Sequence, residues 1–235
     1  MRICLRLSLF SLLCLFVVNG NAQKSNTGNW FIYFGNQRIN RHWNWHNEIQ
    51  YRNYNLIGDL QQLVLRTGFG YNLSENNNNV LLGYAYVYSE RYLPSSSDKI
   101  GSHEHRIFEQ FITKQNFRRI NLTHRYRIEE RFLPDKFQVR FRYFLSANIP
   151  LTHQSMSAKT IYLSMYNEIF MNATAPVFDR NRIYGAIGYV LPRNMRIEVG
   201  IMTQQLETSH RNQIQIVFFN NMNLHPIRFR KYSGD

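Results

Sequence analysis

Arginines and glutamates at every second position of two adjacent segments are the residues of this chain best suited to bind a ligand. Side chains at alternate positions of a β-strand lie on one face, so these residues form a continuous charged surface if the segments are strands. Guanidinium groups bind carboxylates and phosphates through paired hydrogen bonds, and rows of arginine line anion-selective constrictions. The predicted lumen-facing cluster consists of Arg125, Arg127, Glu129, Arg131, Arg140, Arg142, Glu168, Arg182 and Glu198.

The glutamates of this cluster allow a second interpretation. Burying a charge is costly unless an opposite charge pairs with it. Because Glu129 and Glu168 stand among the arginines, the cluster can also be a salt-bridge network that fills a narrow lumen and holds a barrel closed. The first interpretation predicts binding or selection of anions, and the second predicts a plugged barrel.

Other candidate sites carry weaker signals. His103 and His105 share one face of a predicted strand, as a metal pair would, but no third ligand is evident. His124 and Ser164 are candidates for a hydrolytic pair on a lipid-facing surface. No Gly-x-Ser-x-Gly motif occurs in the sequence. We therefore predict no catalytic residue, no metal site and no cofactor, and we expect the protein not to be an enzyme.

The elements that position the charged cluster are predicted β-strands of about ten residues, the length that a tilted membrane-spanning strand needs. Eleven such segments follow one another, separated by turns and loops that contain Asn, Ser, Gly and Pro. They cover residues 29–38, 42–53, 60–73, 80–92, 103–113, 118–132, 137–149, 160–171, 180–191, 193–204 and 209–221. The hairpin series is continuous, so we expect one sheet and almost no helix.

The two faces of these strands differ in chemistry. Between residues 42 and 54, Trp43 and Trp45 occupy the apolar face, whereas Glu48 and Arg52 lie on the polar face. In a soluble sandwich the apolar face points to a core, whereas in a transmembrane barrel it points to lipid and the polar face lines the lumen. The choice between these two arrangements decides the fold class.

Two features favour the membrane barrel. Aromatic residues make up 15% of the chain, as expected for the aromatic girdles at lipid interfaces. Arginines occupy strand centres, where a soluble core would reject them. The sequence therefore predicts an all-β fold, a single antiparallel up-and-down barrel of outer-membrane type with about 10–12 strands, even in number. The alternative is a soluble, lipocalin-like ligand-binding barrel of the periplasm with a charged outside.

The first 22 residues have the features of a secretory signal peptide. Arg2 and Arg6 provide the positive start, residues 7–18 the apolar segment, and residues 20–22 a small-residue cleavage site. We expect residues 1–22 to be removed, leaving residues 23–235 as one barrel domain with a short basic C-terminal tail. The bacterial outer membrane is the expected location.

The mature chain is predicted to be basic and free of cysteine. Both cysteines, Cys4 and Cys14, lie in the predicted signal peptide. Loss of Arg2 and Arg6 reduces the 28 basic residues to 26, against 15 acidic residues, for a net charge of +11. In an exported protein this charge favours outer-membrane lipid, lipopolysaccharide or a small anionic solute as partners over nucleic acid.

Six short segments of this sequence resemble a known family. They are EHRIFEQ at 104–110, HRYRIEERF at 124–132, RFRY at 140–143, YNEIF at 166–170, FDRNR at 178–182 and GY at 188–189. In order and spacing they are similar to the domain-of-unknown-function family 2490, exported proteins of Gram-negative bacteria. This resemblance extends over nearly all of the mature chain and implies an outer-membrane β-barrel. It implies no activity, because that family has no established function.

The C-terminal residues depart from the usual barrel pattern. Outer-membrane barrels usually end on a strand with a terminal aromatic residue, whereas here a basic tail at 225–235 follows Phe218 and Phe219. Our first functional hypothesis is a non-enzymatic channel or small-solute-binding barrel with an Arg/Glu-lined lumen. The alternative is a structural envelope barrel with a salt-bridge-filled lumen, and a lipid-modifying enzyme is a lesser one.

Overall fold

The computed structural model describes residues 27–74 and 77–224. These residues form eleven β-strands and no helix. The strands are β1 (Thr27–Arg38), β2 (Trp43–Asn53), β3 (Leu60–Asn72), β4 (Asn78–Tyr92), β5 (Lys99–Phe117), β6 (Ile120–Leu133), β7 (Lys136–Pro150), β8 (Ile161–Asn172), β9 (Phe178–Leu191), β10 (Met195–Gln205) and β11 (His210–Asn220). Each strand lies where one was predicted, and the bounds differ by at most four residues. The predicted signal peptide and the basic tail lie outside the described residues.

The strands close into a barrel in which each strand is hydrogen-bonded to its neighbours in sequence. Sequential strands are antiparallel, and β1 pairs with β11 in parallel to complete the ring. The predicted up-and-down barrel is thereby confirmed, but the expectation of an even strand number is wrong for the described residues. The parallel pair follows from the odd number, because the first and last strands of such a series point the same way.

The two ends of the barrel carry different sets of connections. We call the end at which β1 and β11 finish the upper end, and the opposite end the lower end. The upper end carries residues 39–42, 73–74, 77, 118–119, 151–160 and 192–194, and the lower end carries the connections 54–59, 93–98, 134–135, 173–177 and 206–209. In the upper turns, Arg118, Arg193 and Asn194 have φ values of 54°, 59° and 58°, the left-handed conformation that favours tight reversal between paired strands. Within the described residues, no helix has the length and apolar character needed to cross a membrane.

Side chains in the barrel wall place charge inside and apolar groups outside. In β2, inward-facing Glu48 is 2% exposed, and the next residue, outward-facing Ile49, is 49% exposed. In β6, Arg127 is 2% exposed and Ile128 is 41% exposed. This alternation follows directly from strand geometry, which sends successive side chains to opposite faces. The barrel therefore has a polar interior and an apolar outer wall.

One side of the lumen departs from this rule. On β1 the inward residues Trp30 and Ile32 are apolar and almost fully buried. They belong to a cluster that we call the apolar sector: Trp30, Ile32, Phe34, Tyr166, Tyr184, Ala186, Met202, Val217 and Phe219. These residues come from β1 and from β8 to β11, which are contiguous around the ring because β1 pairs with β11. The interior is thus apolar along one side and charged along the other.

Two glycines of β9 test how tightly the interior is packed. A Cβ atom at inward-facing Gly188 would collide with the ring of fully buried Tyr162, whereas one at outward-facing Gly185 would meet nothing within 4 Å. We expect Gly188→Ala to lower the free energy of unfolding by about 1–3 kcal/mol, because overpacking displaces the ring. Gly185→Ala should be neutral or stabilising by up to about 1 kcal/mol. Urea titration of the purified barrel measures both, and equal effects of the two variants would contradict the packing described.

Candidate functional site

A layer of buried ion pairs occupies the middle of the lumen, and we call it the ion-pair layer. It consists of Glu48, Arg66, Arg106, Arg127, Glu129, Arg140, Arg142, Glu168 and Arg182, each at most 7% exposed. All of these residues face the lumen, and an open water-filled bore would leave them accessible to solvent. Their burial shows that side chains fill the lumen at this level.

Glu129 is the anionic centre of the layer. Its carboxylate accepts hydrogen bonds from Arg140 Nε at 3.1 Å and Nη2 at 2.5 Å. Arg142 Nη1 donates to its other oxygen at 2.5 Å. Arg106 and Arg127 each lie 3.7 Å away. Because Glu129 is fully buried, these guanidinium groups replace the water that would otherwise solvate the carboxylate.

Glu168 forms the second centre. It accepts hydrogen bonds from Arg125 Nη2 at 2.7 Å and from Arg142 Nη2 at 2.6 Å, and Arg182 Nη1 lies 3.8 Å from its other oxygen. Arg142 thus bridges Glu168 and Glu129 from β7. The bridge forms because β7 lies between β6 and β8 in the sheet, so its arginines reach carboxylates on both sides.

Aromatic rings complete the layer. The guanidinium carbons of Arg142 and Arg182 lie 4.4 Å and 4.6 Å from the centre of the buried Phe170 ring. Two arginines contact the Trp30 ring, with Arg52 at 3.9 Å and Arg182 at 4.9 Å from the ring centre. Cations stacked on aromatic faces gain electrostatic stabilisation that increases when water is excluded. The rings therefore help to hold positive charge that the glutamates do not neutralise.

The structure does not bring all nine predicted residues together. Arg131 lies lower in the lumen, donates to Glu104 at 2.5 Å, and reaches the layer only indirectly, through Glu104 and Arg106. Glu198 is apart from the arginines of the layer and accepts hydrogen bonds from Tyr162 at 2.8 Å and Tyr184 at 3.3 Å. The other seven predicted residues, Arg125, Arg127, Glu129, Arg140, Arg142, Glu168 and Arg182, form the connected network described above.

Several residues of the interior were not predicted as part of the cluster. Glu48 and Arg66 pair across β2 and β3, and Arg106 joins Glu104 to Glu129 from β5. The signal for Glu48 and Arg66 was present, since both lie on the polar faces of clearly alternating strands. The alternation of polar and apolar residues that would have identified Arg106 is less regular in β5, because the inward face of this strand also includes apolar Phe108.

A cavity of about 280 Å³ extends from the ion-pair layer to the upper end. Its floor includes Arg127, Arg142 and Glu168, and Asn44 and Asn148 line it near the upper end. The apolar sector forms one wall and Arg125 belongs to the opposite side. Binding sites for small molecules are concave and mostly apolar, with a few placed polar groups. The cavity combines an apolar wall with charged groups at its floor, on β6 and, through Lys114 and Arg196, near the upper end.

Comparison with known proteins places the chain in a family. The family model described as "Protein of unknown function (DUF2490)" matches residues 27–215. The chain belongs to the DUF2490 family. No curated protein and no solved structure matches the chain. The family resemblance predicted from the sequence motifs is therefore confirmed, and its match covers almost the whole described barrel.

The weaker candidate sites of this DUF2490 barrel do not assemble. Ser164 is buried and lines the cavity, whereas His124 projects from the other face of the wall and contacts Tyr143 Oη at 2.9 Å. These two residues cannot act on one substrate. His103 and His105 lie on the outer wall, each hydrogen-bonded through Nδ1 to a tyrosine hydroxyl. In residues 27–74 and 77–224, no group of three or more His, Cys, Asp or Glu side chains is placed to hold a metal ion.

Adjacent glutamates of the DUF2490 barrel provide a matched test of the ion-pair layer. Glu129→Gln removes the charge that neutralises Arg140 and Arg142, and we expect a loss of about 3–5 kcal/mol in the free energy of unfolding. Glu130 faces outward and makes no ion pair among the described residues, so Glu130→Gln should change stability by less than about 0.5 kcal/mol. Urea unfolding followed by tryptophan fluorescence measures both variants. A similar, small effect of the two substitutions would show that the layer does not stabilise the barrel.

Proposed function

We propose that this protein is a non-enzymatic barrel of the bacterial outer membrane whose lumen binds a small solute entering from the upper end. The observation that carries the proposal is a cavity that ends on a filled layer of ion pairs. A cavity with a floor is suited to holding a solute, and it lacks the continuous bore that a channel requires.

The outer wall has the composition of a surface that contacts lipid. Outward residues along the strands are large and apolar, for example Ile49 at 49% exposed, Leu82 at 60% and Ile201 at 63%. Soluble monomers rarely expose continuous apolar patches of this kind. A soluble barrel with a charged outside would have the opposite distribution. The wall therefore supports insertion in a membrane, with outer-membrane lipid, including lipopolysaccharide, as its surroundings.

Aromatic pairs at both ends of the wall add support. At the upper end, Trp43 contacts Tyr71 with ring centres 5.1 Å apart, and at the lower end Phe132 contacts Phe137 at 5.2 Å. All four side chains are exposed on the outer wall. Membrane barrels carry aromatic girdles at both lipid interfaces, about 25 Å apart. The two pairs occupy the positions at which such girdles would lie.

The ion-pair layer also favours a second candidate function, a structural envelope barrel. Glu129 on β6 and Glu168 on β8 together bind guanidinium groups of β6 and β7, and this network ties three neighbouring strands of the wall together. A barrel that serves only to stabilise the envelope needs no cavity in its lumen. Because a cavity is present above the layer, solute binding accounts for more of the structure, and a binding measurement decides between the two functions.

Insertion is tested by fractionation and by electrophoretic mobility in SDS. We expect the full chain, expressed in a Gram-negative host, to be recovered with the outer membrane and to migrate faster in SDS before boiling than after it. A closed sheet without free edges resists SDS until it is heated. Recovery in the soluble periplasmic fraction with a single mobility would contradict the membrane proposal. The Glu130→Gln variant should behave as the unaltered protein does.

Closure of the lumen is tested in a planar bilayer. We expect the purified, heat-modifiable barrel to show no steady conductance in potassium chloride, because the ion-pair layer leaves no water-filled path. Steady single-channel currents would contradict a closed lumen and would support the anion channel instead. In that case Arg127→Ala or Arg142→Ala should change the preference for chloride over potassium, since both arginines face the lumen.

A further inference from the structure

The walls of the upper cavity differ in chemistry from one side to the other. Ile32 and Phe34 on β1 and Val217 and Phe219 on β11 present apolar surface to the cavity. Arg125 and Arg127 on β6 present guanidinium groups. In the ring of eleven strands, β6 is five strands from β1 in one direction and six in the other. The apolar surface and the arginines therefore face each other across the lumen.

Positive charge in the cavity exceeds the negative charge available to pair with it. The cavity is lined by seven cationic side chains, Arg66, Lys114, Arg125, Arg127, Arg142, Arg182 and Arg196, and by three carboxylates, Glu48, Glu168 and Glu198. Glu198 accepts its hydrogen bonds from tyrosines. Glu168 is shared among Arg125, Arg142 and Arg182. The lining thus retains cations that no carboxylate of the described residues neutralises.

Arg127 lines the cavity floor and forms one long ion pair among the described residues. Its Nε and Nη2 atoms donate to Gln110 Oε1 at 2.9 Å and 2.5 Å. Its Nη1 atom is buried, makes no hydrogen bond in the described part of the chain, and lies 3.7 Å from Glu129. Arg127 also experiences the positive charges of Arg125, Arg142 and Arg66. Positive charge around Arg127 therefore exceeds the negative charge that Glu129 supplies, and an anion at the cavity floor would interact favourably with this excess.

Cations near the upper end extend this charge toward the opening. Lys114 and Arg196 line the cavity and form no ion pair within the described ranges. The guanidinium carbon of Arg196 lies 4.4 Å from the ring centre of Phe219, beside the apolar sector. Charges of one sign at the mouth of a cleft raise the local concentration of oppositely charged solutes. The opening is therefore suited to attract an anion that also has an apolar part.

We infer that the solute is a small amphipathic organic anion, whose acidic group binds Arg127 and Arg125 while its apolar body lies against Ile32, Phe34 and Val217. This inference rests on the proposed binding function and names its ligand class. A cavity of about 280 Å³ is at the small end of ligand sites, which suits a medium-chain carboxylate better than a complete phospholipid. Guanidinium groups bind carboxylates in paired hydrogen bonds.

Three probes separate the acidic group from the apolar body. We would titrate octanoate, octan-1-ol and acetate into the barrel held in lipid nanodiscs, with empty nanodiscs as the blank, and measure heat by calorimetry. Octanoate should bind at one site, and octan-1-ol and acetate should each bind at least tenfold more weakly. Equal affinity of acetate and octanoate would overturn the amphipathic ligand and leave binding of small anions intact. Equal affinity of octan-1-ol and octanoate would overturn recognition of the acid.

Variants locate the binding site. Arg127→Gln should weaken octanoate at least tenfold, and Arg91→Gln, the same change of charge at the lower end and outside the cavity lining, should have no effect. Phe34→Ala should weaken octanoate at least fivefold, and Phe31→Ala, on the outer wall at 40% exposed, should not. Heat-dependent mobility in SDS checks that each variant is folded. Absence of binding by all three probes to a folded, outer-membrane barrel would overturn both binding proposals and favour the structural barrel.

Discussion

Burial of charge inside the barrel is the constraint to which the rest of the structure responds. Seven arginines and five glutamates are at most 8% exposed in the interior, and a charge removed from water is tolerated only if other charges or hydrogen bonds replace the water. Glu129 meets this condition through Arg140 and Arg142. Those arginines lie on the neighbouring strand, so correct pairing of β6 with β7 is needed to satisfy the charges. The network thus specifies the register of the sheet as well as filling the lumen.

The inverted distribution of side chains follows from the same constraint. Alternate residues must point in opposite directions along each strand, so a strand that sends arginine and glutamate inward sends its other residues outward. The outward residues are apolar, and they obtain a matching environment only in lipid or against another apolar surface.

Closure of the barrel adds a further requirement. Eleven strands close only if β1 and β11 run in parallel. The apolar sector lies along this pair of strands, and it includes Trp30 of β1 and Val217 of β11.

The sequence was sufficient to predict the strands, because a period of two is visible in nearly every one of them and asparagine-rich or proline-containing turns separate them. It was less informative about which charges meet. Arg131 and Glu198 share the polar faces of their strands with the network, yet Arg131 pairs with Glu104 and Glu198 with two tyrosines. Partners across a barrel depend on register and closure, which no single strand encodes. The apolar interior of β1 was also missed, since a strand that is apolar on both faces does not show which face is inward.

The cup shape of the lumen has a simple origin in side-chain length. Along the inward face of β7, Arg140 and Arg142 give way to Ser146 and Asn148 toward the upper end, and β3 changes in the same direction from Arg66 to Gly68 and Gly70. Long side chains meet across the lumen and fill it, whereas short ones leave space between the same walls. Inward side chains become shorter toward the upper end on both β3 and β7. The filled layer and the cavity above it therefore result from one decrease in side-chain length along the barrel. On β3 and β7 the long inward residues below the cavity are the arginines Arg66, Arg140 and Arg142, and the cavity therefore ends on a floor that carries guanidinium groups.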